Sequence, residues 1–387
     1  MSRPIYLDYH ATTPVDPRVL DAMLPYFTAK FGNAASRQHA FGWEAQEAVD
    51  RAREQVAALI GASAGEITFT SGASESNNLA LKGIACALRE RGDHIVTVAT
   101  EHKSVLDSVA SLERDGFRIT RLPVDAKGFV DLDALRAALT PKTILLSVMT
   151  ANNEIGTIQP LRQIGGIAAE RGVLLHTDAA QAAGKIPIDV RETPVDLLSL
   201  TAHKYYGPKG AGALFVRRRK PRIQLTCQID GGGHEHGLRS GTLNVPGIVG
   251  LGAASEICQK EMVAESARLR ALRDRLLAQL QQELSGVRVN GPLGDERLPH
   301  NLHVSFEGVE GERLLMALGD IAVSTGSACS AGSQKASHVL EAIGASASAG
   351  PSIRFGLGRG TTDQEIETAA ARVVKVVRSL RDTAVTA

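Results

Sequence analysis

Hydrophobic and polar positions alternate between residues 66 and 216 in a pattern that predicts a sheet covered by helices. Short apolar runs are followed by amphipathic ones, and Gly or Pro stands at many of the junctions. Such alternation is typical of a mostly parallel sheet with helices on both faces, in which ligands bind at the strand ends. Strands are expected at residues 67–70, 95–98, 117–124, 144–149, 173–176, 197–200 and 213–216, and helices at residues 74–91, 102–114 and up to 171.

The pattern changes beyond residue 245. A long helix is expected over residues 245–284, followed by a smaller α+β unit with fewer strands. A chain of 387 residues also exceeds the usual size of a single core. We therefore expect an α/β protein with a large domain, residues 15–260, built on a sheet of the seven-stranded type. The small domain would comprise residues 1–14 and 261–387, with strands at 302–306 and 353–355 and helices at 312–318 and 363–380.

Composition and charge narrow the function classes. Lys plus Arg number 43 and Asp plus Glu 42, a net charge of +1, which argues against nucleic acid or an anionic membrane as a partner. No stretch approaches the ~20 apolar residues that span a bilayer, and the N-terminus runs into a strand-like segment without a signal sequence. The four cysteines form no C-x-x-C pair; they are Cys86, Cys227, Cys258 and Cys329. A disulfide framework or a zinc site is therefore not expected, and a reducing, cytoplasmic location is favoured.

Lys204 stands in an unusual position for a solubilising charge. It follows a predicted buried strand directly, beside His203 and shortly before a Gly-Pro pair. An enzyme that uses pyridoxal phosphate needs a lysine amine to bind the cofactor aldehyde. It also needs an acid against the pyridine nitrogen, so that the ring stays protonated and withdraws electrons, and donors for the phosphate. Lys204 is the candidate for the first of these needs.

Two other segments offer candidates for the remaining needs. Asp178 comes directly after an apolar strand, although an aspartate there is also typical of a turn, and Gln181 follows within reach of a ring hydroxyl. Residues 70–77 lead from a strand through glycine into a helix that begins near Ser74. Helix N-termini bind phosphate, although Ser74 also fits an ordinary helix cap. This glycine pattern is not the G-x-G-x-x-G of dinucleotide-binding folds.

Motifs spread over nearly the whole chain resemble those of the cysteine desulfurases. These enzymes belong to the class V aminotransferase family of fold-type I pyridoxal-phosphate enzymes, and the motifs follow the family's order. Individually, only the segments around the lysine and the last cysteine are specific, whereas the set is highly specific. The matching segments are residues 6–14 (YLDYHATTP), 31–33 (FGN), 101–103 (EHK), 152–156 (NNEIG), 202–204 (AHK), 231–235 (GGGHE), 239–242 (RSGT), 324–329 (STGSAC) and 352–355 (SIRF).

The resemblance implies roles for individual residues. Lys204 would carry the cofactor and take the substrate α-proton, Asp178 would hold the pyridine nitrogen, and His102 would stack on the ring and move protons. The ring hydroxyl region would be bonded by Asn153 and Gln181. The phosphate would be held at the ends of two strands by Ala73, Ser74, Thr201 and His203, joined by Thr242 from the other subunit of a homodimer. The substrate carboxylate would be held by Asn33, Asn153 and Arg354, the last through a bidentate pair.

Cys329 decides the reaction that the resemblance implies. Its thiolate would attack the sulfur of L-cysteine, leaving L-alanine and an enzyme persulfide. The Ser-x-Gly-Ser-Ala-Cys form resembles the long-loop group that supplies iron–sulfur cluster assembly, so a sulfur-acceptor protein such as an iron–sulfur scaffold is expected as partner. Residues 330–335 and 345–350 are rich in Ser, Ala and Gly and predict mobile loops. The chain ends soon after its last predicted helix, without the longer tail of the housekeeping enzymes, which leaves the acceptor open.

Three other interpretations remain. A selenocysteine lyase, or another enzyme of the class V aminotransferase family, would use the same lysine, although a plain aminotransferase needs no thiol. A catalytically idle scaffold would have no need for Lys204, Asp178, His102 and Cys329 together. A metal site at residues 234–236 (HEH) is disfavoured, because three adjacent residues do not converge easily on one ion. No metal is therefore expected.

Overall fold

The computed structural model describes residues 3–325, 337–345 and 350–385. In chain order, its strands are β1 (Ile5–Tyr6), β2 (Ile67–Thr70), β3 (His94–Val98), β4 (Arg118–Leu122), β5 (Thr143–Ser147), β6 (Leu174–Asp178), β7 (Leu197–Thr201), β8 (Gly212–Val216), β9 (Val287–Val289), β10 (Asn301–Phe306), β11 (Ile321–Ala322) and β12 (Ser352–Gly356). Its α-helices are α1 (Pro17–Met23), α2 (Pro25–Thr28), α3 (Ala40–Leu59), α4 (Ala73–Ala87), α5 (Lys103–Arg114), α6 (Leu132–Ala138), α7 (Leu161–Glu170), α8 (Val245–Glu283), α9 (Gly311–Ala317), α10 (His338–Ala342) and α11 (Asp363–Val385).

The central sheet has seven strands in the order β2-β8-β7-β6-β5-β3-β4. Strands β4, β3, β5, β6 and β7 run parallel to one another, and β8 is antiparallel to both β7 and β2. Because β8 alone runs the other way, β2 points in the same direction as β6 and β7. The predicted mostly parallel sheet with flanking helices is therefore confirmed, and the carboxyl ends of β2, β6 and β7 share one edge.

Strand residues alternate between two apolar cores, one on each face of the sheet. Ile95, Leu145 and Leu174 belong to the core that α4 and α5 cover. Their chain neighbours, such as Val96 and Leu146, belong to the core that α3, α7 and the first half of α8 cover. Both sets are fully buried, which explains why these strands read as continuous apolar runs in the sequence.

A smaller unit packs around the second half of α8. The antiparallel sheet β12-β10-β9 lies against this half and against α11, and the short parallel pair of β1 and β11 adjoins it. The leucines expected on one helical face, Leu269, Leu272 and Leu276, are buried in this core. Helix α8 has 39 residues and is therefore about 58 Å long. The expected domain boundary at residue 260 falls inside α8, so the division at that residue stays a prediction.

Within the described part of the chain, no helix combines the length and apolar character that crossing a membrane requires. Cys329, the expected loop at residues 330–335 and most of the expected loop at residues 345–350 lie outside the described residues.

Candidate active site

A cavity of about 420 Å³ opens at the edge of the sheet where β2, β6 and β7 end. Ten of the thirteen residues predicted for the site line it: Ala73, Ser74, His102, Asn153, Asp178, Gln181, Thr201, His203, Lys204 and Arg354. A larger open groove of about 880 Å³ lies between α8 and α11, and none of the predicted residues lines that groove. The chemistry-bearing side chains therefore meet at one place in the fold.

Lys204 reaches the cavity from a short helical turn that directly follows β7. Its Nζ donates a hydrogen bond to the carbonyl of His10 and another, of 2.9 Å, to the carbonyl of Ala11. These carbonyls belong to the segment after β1. A lysine that follows a strand of the central sheet is thus held by the N-terminal segment of the chain. The lysine is partly buried rather than extended into solvent, as its position after a buried strand predicted.

Asp178 is the last residue of β6 and is only 4% exposed. Its Oδ2 accepts a hydrogen bond of 2.7 Å from Asn77 Nδ2, and its Oδ1 accepts one of 2.9 Å from the N–H of Ala180. Asn77 also donates to Ser104 Oγ at 2.8 Å. The carboxylate is thus fixed in orientation at the cavity wall, where it can face a cationic group.

The N-terminus of α4 forms a third part of the wall. Gly72 is the N-cap, with φ of +153°, and no side chain caps the helix there. The first N–H groups of a helix have no acceptor within it, so those of α4 are available to a bound anion. A Cβ on Gly212 would lie 2.5 Å from Gly72 Cα, so the close approach of β8 to this turn requires glycine at position 212. The hydroxyl residues Ser74 and Thr201 line the same part of the cavity.

Two histidines of the cavity are neutral. Burial lowers the pKa of His102, and the N–H of Ser104 donates to its Nδ1 at 3.1 Å. The proton of neutral His102 therefore lies on Nε2. Burial, together with the charge of Lys204, lowers the pKa of His203 to about 4. Neither ring brings a positive charge to the cavity at neutral pH.

Arg354 enters the opposite wall from β12 of the smaller unit and is 1% exposed. One terminal nitrogen donates to the carbonyl of Asn153 at 2.9 Å, and the other forms an ion pair with Asp8 Oδ1 at 2.9 Å. Its Nε has no acceptor among the described residues. A buried donor without an acceptor is costly, so this guanidinium is suited to a further anionic ligand such as a carboxylate.

Three predicted residues do not line this cavity. Asn33 is exposed, and its Oδ1 accepts a hydrogen bond of 2.9 Å from the N–H of Ala35. Thr242 is exposed on the segment that leads into α8. Cys329 lies outside the described residues. The roles implied for these three residues stay predictions.

The structure adds residues that the sequence analysis did not single out. His10 lines the cavity and is buried, with ring hydrogen bonds to Gln181 and Asn301. Ser104 lines it as well and holds His102 in place. His10 lies inside the motif at residues 6–14, which was recognised as a block, so only its presence in that block could have indicated a role. Glu235, from the segment considered for a metal, is instead buried against Arg53.

The family model for aminotransferase class V matches residues 5–368 of the chain. The chain belongs to this family. Curated relatives named cysteine desulfurase IscS include one from Anaeromyxobacter dehalogenans, 58% identical over 99% of this chain and 94% of the relative. Another, from Methylococcus capsulatus, is 55% identical over the same shares. The predicted resemblance to the cysteine desulfurases is therefore confirmed.

Solved structures of family members agree with the fold. One described as a NifS-like protein has a TM-score of 0.90 and 38% identity, and the match covers 97% of this chain and all of that one. Another, described as SspA in complex with cysteine, has a TM-score of 0.80 and 40% identity, over 91% of this chain and 98% of that one. The predicted architecture of a large α/β part and a smaller α+β part is shared with these proteins.

Proposed function

We propose that this class V family member is a pyridoxal-phosphate-dependent cysteine desulfurase, which converts L-cysteine to L-alanine and keeps the sulfur as a persulfide on Cys329. The observation that carries the proposal is the meeting of Lys204, Asp178 and the uncapped N-terminus of α4 at one cavity. A lysine amine, a buried carboxylate and a helix N-terminus are the three groups that this cofactor requires. Relatives named cysteine desulfurase, at more than half identity, support the reaction.

The residues present fit the cofactor. The phosphate would be held by the first N–H groups of α4 with Ser74 and Thr201, and the aldehyde would be bound by Lys204. The Asp178 carboxylate is already held by two donors, and it lines the cavity, where it would accept a hydrogen bond from a pyridine N–H. When bound, the cofactor supplies a protonated aromatic ring that withdraws electrons from the substrate α-carbon.

The chain's own groups would then carry the reaction. Arg354, which lines the cavity, would orient L-cysteine by attracting its carboxylate with the positive charge of the guanidinium. Lys204 would take the α-proton of the substrate with its amine. Asp178 would keep the pyridine nitrogen protonated, because loss of that proton would leave a buried carboxylate without its cation. His102, with its proton on Nε2, would cover the ring, and Asn153 and Gln181 would lie at its hydroxyl side.

Cys329 would perform the sulfur transfer. Its thiolate attacks the sulfur of the substrate, an S–S bond forms and the C–S bond breaks. The electron pair of that bond stays with the three-carbon fragment, which takes up protons and leaves as L-alanine. The persulfide sulfur would then pass to an acceptor protein, such as an iron–sulfur scaffold. This assignment rests on the sequence motif, and the cysteine thiolate is the reactive form.

We also propose a cytoplasmic homodimer in which the partner subunit's Thr242 completes each cavity. Thr242 is exposed and does not line the cavity of its own chain, as the proposal requires. Mixing Lys204→Ala chains with Thr242→Val chains should restore about a quarter of wild-type activity, because half of the dimers would be mixed and each would hold one intact site. Two inactive variants that stay inactive after mixing and refolding would exclude this arrangement.

The experiment that tests the function is mass spectrometry of the protein after incubation with pyridoxal phosphate and L-cysteine. We expect one sulfur atom added to the peptide that contains Cys329, together with released L-alanine. Turnover of L-selenocysteine alone would favour a selenocysteine lyase. A protein that retains no cofactor absorption once the unbound cofactor has been removed would favour the idle scaffold and contradict the proposal.

A further inference from the structure

His10 is the centre of a buried hydrogen-bond network behind the cavity. The side chain is 1% exposed, and its ring lies 2.9 Å from Gln181 Oε1 through Nδ1 and 3.1 Å from Asn301 Nδ2 through Nε2. Its backbone carbonyl accepts from Gln181 Nε2 at 3.1 Å and from Lys204 Nζ. One residue therefore touches both the lysine and the glutamine of the proposed cofactor site.

Arg297 sets the direction of these hydrogen bonds. The guanidinium can only donate, and it gives a hydrogen bond of 2.8 Å to Asn301 Oδ1. The amide nitrogen of Asn301 must then face the other way, where it donates to the carbonyl of Glu154 at 2.9 Å and to His10 Nε2. Since Nε2 accepts, it carries no proton.

The direction continues from His10 to the cavity. A neutral ring that accepts through Nε2 must carry its proton on Nδ1, which donates to Gln181 Oε1. This bond fixes the orientation of the Gln181 amide, with Oε1 toward the His10 ring and Nε2 as the donor end. One hydrogen of Nε2 goes to the carbonyl of His10, and the other has no acceptor among the described residues. Gln181 lines the cavity, so this hydrogen is available there.

The surroundings keep His10 neutral. The charged groups that act on its ring are Arg354, Lys204 and Lys185, all of them cations, and together with burial they lower its pKa well below the usual range. On the side of β10, the ring stacks on His300, with centroids 4.3 Å apart and planes 28° from parallel. Burial and the neighbouring His10 lower the pKa of His300 as well. Among the described residues, no anion in contact with the ring favours its second proton, so the neutral tautomer is the resting form.

We propose that Arg297, Asn301 and His10 are positioning residues that fix Gln181 as a hydrogen-bond donor toward the cavity. The inference rests on the proposed function, in which the ring hydroxyl of the cofactor lies near Gln181. An N–H presented to that oxygen stabilises its deprotonated form, as hydrogen bonds to a charged form do in general. Arg297, Asn301 and His10 would therefore lower the pKa of the ring hydroxyl of the bound cofactor without contacting the cofactor themselves.

The tautomer can be read directly on the full-length protein. Nitrogen NMR of histidine-labelled protein, assigned by comparison with a His10→Phe variant, should show His10 with its proton on Nδ1 across the neutral pH range. A proton on Nε2, or a ring that titrates near pH 6.5, would overturn the inference. This measurement needs no cofactor and no turnover, so it is independent of the proposed function.

Two variants test the consequence for the cofactor. Asn301→Asp keeps an acceptor for Arg297 but removes the donor to His10 Nε2, which would force the His10 proton to Nε2 and turn Gln181. His10→Phe keeps a ring against His300 and removes both nitrogens without adding charge. In each variant, the apparent pKa of the cofactor's visible absorption should rise by about one unit or more, and the cofactor dissociation constant by about tenfold.

Asn290→Asp is the matched control. Asn290 is also buried, its side chain donates to His303 Nδ1 at 2.9 Å and its backbone carbonyl accepts from Arg297, but it does not line the cavity. This variant should keep the wild-type absorption pKa. If Asn301→Asp shifts the absorption pKa and His10→Phe does not, the added charge is responsible, and the proposed positioning of Gln181 by Arg297, Asn301 and His10 is wrong. A wild-type protein that binds no cofactor would contradict the proposed function instead, whatever the tautomer of His10.

Discussion

Asp178→Asn separates the chemical role of this carboxylate from its structural one. The substitution keeps the size of the side chain but removes the charge that would hold the pyridine nitrogen protonated. A hydrogen bond to a charged group contributes roughly 1.5–3 kcal/mol. Loss of that contribution in the transition state lowers the rate about tenfold to hundredfold. We therefore expect L-alanine release to fall by that factor while the cofactor still binds.

The hydrogen bonds around Asp178 predict how much stability the variant loses. Oδ1 accepts from the N–H of Ala180 and Oδ2 from Asn77, so an amide at this position can keep only one of the two acceptors. Asn77 can respond, because its Oδ1 has no partner among the described residues and a rotated amide would accept from the new donor. The rotation weakens the contact with Ser104. Because one hydrogen bond is exchanged for a weaker one, we expect the free energy of unfolding to fall by about 1 kcal/mol.

The assay compares L-alanine release, visible absorption and urea unfolding of the apoprotein for the variant and a control. Asp196→Asn is the control, because Asp196 is also buried, accepts from the N–H of Leu175 and does not line the cavity. It should lose stability but keep its turnover per bound cofactor. Near-normal L-alanine release by Asp178→Asn would remove Asp178 from its role. A loss of turnover of the same size in Asp196→Asn would show that general destabilisation explains the effect.

Three further outcomes are expected. Lys204→Ala should bind the cofactor without a covalent link, so borohydride reduction should fix none of it to the protein; wild-type stoichiometry after reduction would identify another lysine. Cys329→Ala should still change its absorption spectrum with L-cysteine but release no L-alanine, and release at the wild-type rate would refute the assignment of the nucleophile. Glu235→Gln should lower the free energy of unfolding by about 3 kcal/mol, because it leaves the buried Arg53 without its anion. Glu47→Gln, in an exposed ion pair, should change stability little, and equal losses in both variants would contradict this reasoning.

The strands that carry the site were predictable because they are buried on both faces. The predicted strand at residues 197–200 and β7 differ by one residue, and Lys204 follows at the expected sheet edge. Helix α5 begins at Lys103, with His102 as its N-cap rather than its first residue. The antiparallel direction of β8 was not predicted, because its apolar run reads like that of a parallel strand. Helix α3, which packs on α8, was not predicted either, although its buried face repeats with helical spacing.

The hydrogen-bond network behind the cavity could not be predicted from local patterns. His10, Gln181 and Asn301 are more than a hundred residues apart in the chain, and each is an ordinary polar residue in its own segment. Their roles depend on a direction that Arg297 imposes, and that direction exists only when all four side chains are packed together. Recognition of the motif at residues 6–14 located His10 but gave no reason for its presence. Sequence patterns thus identified the groups on the cavity wall, whereas the groups that orient them required the fold.

The two walls of the cavity have different origins, and Asp8 links them. Asp178 and the N-terminus of α4 are fixed by the parallel sheet, whereas Arg354 comes from β12 of the smaller unit. A buried guanidinium without an anion would be strongly destabilising, and Asp8 supplies that anion. Asp8 lies two residues before His10, whose carbonyl accepts from Lys204 together with that of Ala11, so the same short stretch holds both the amine and the guanidinium proposed to bind the substrate. Both groups therefore depend on one short stretch of the chain, residues 8–11, and Arg354 is held in addition by the carbonyl of Asn153.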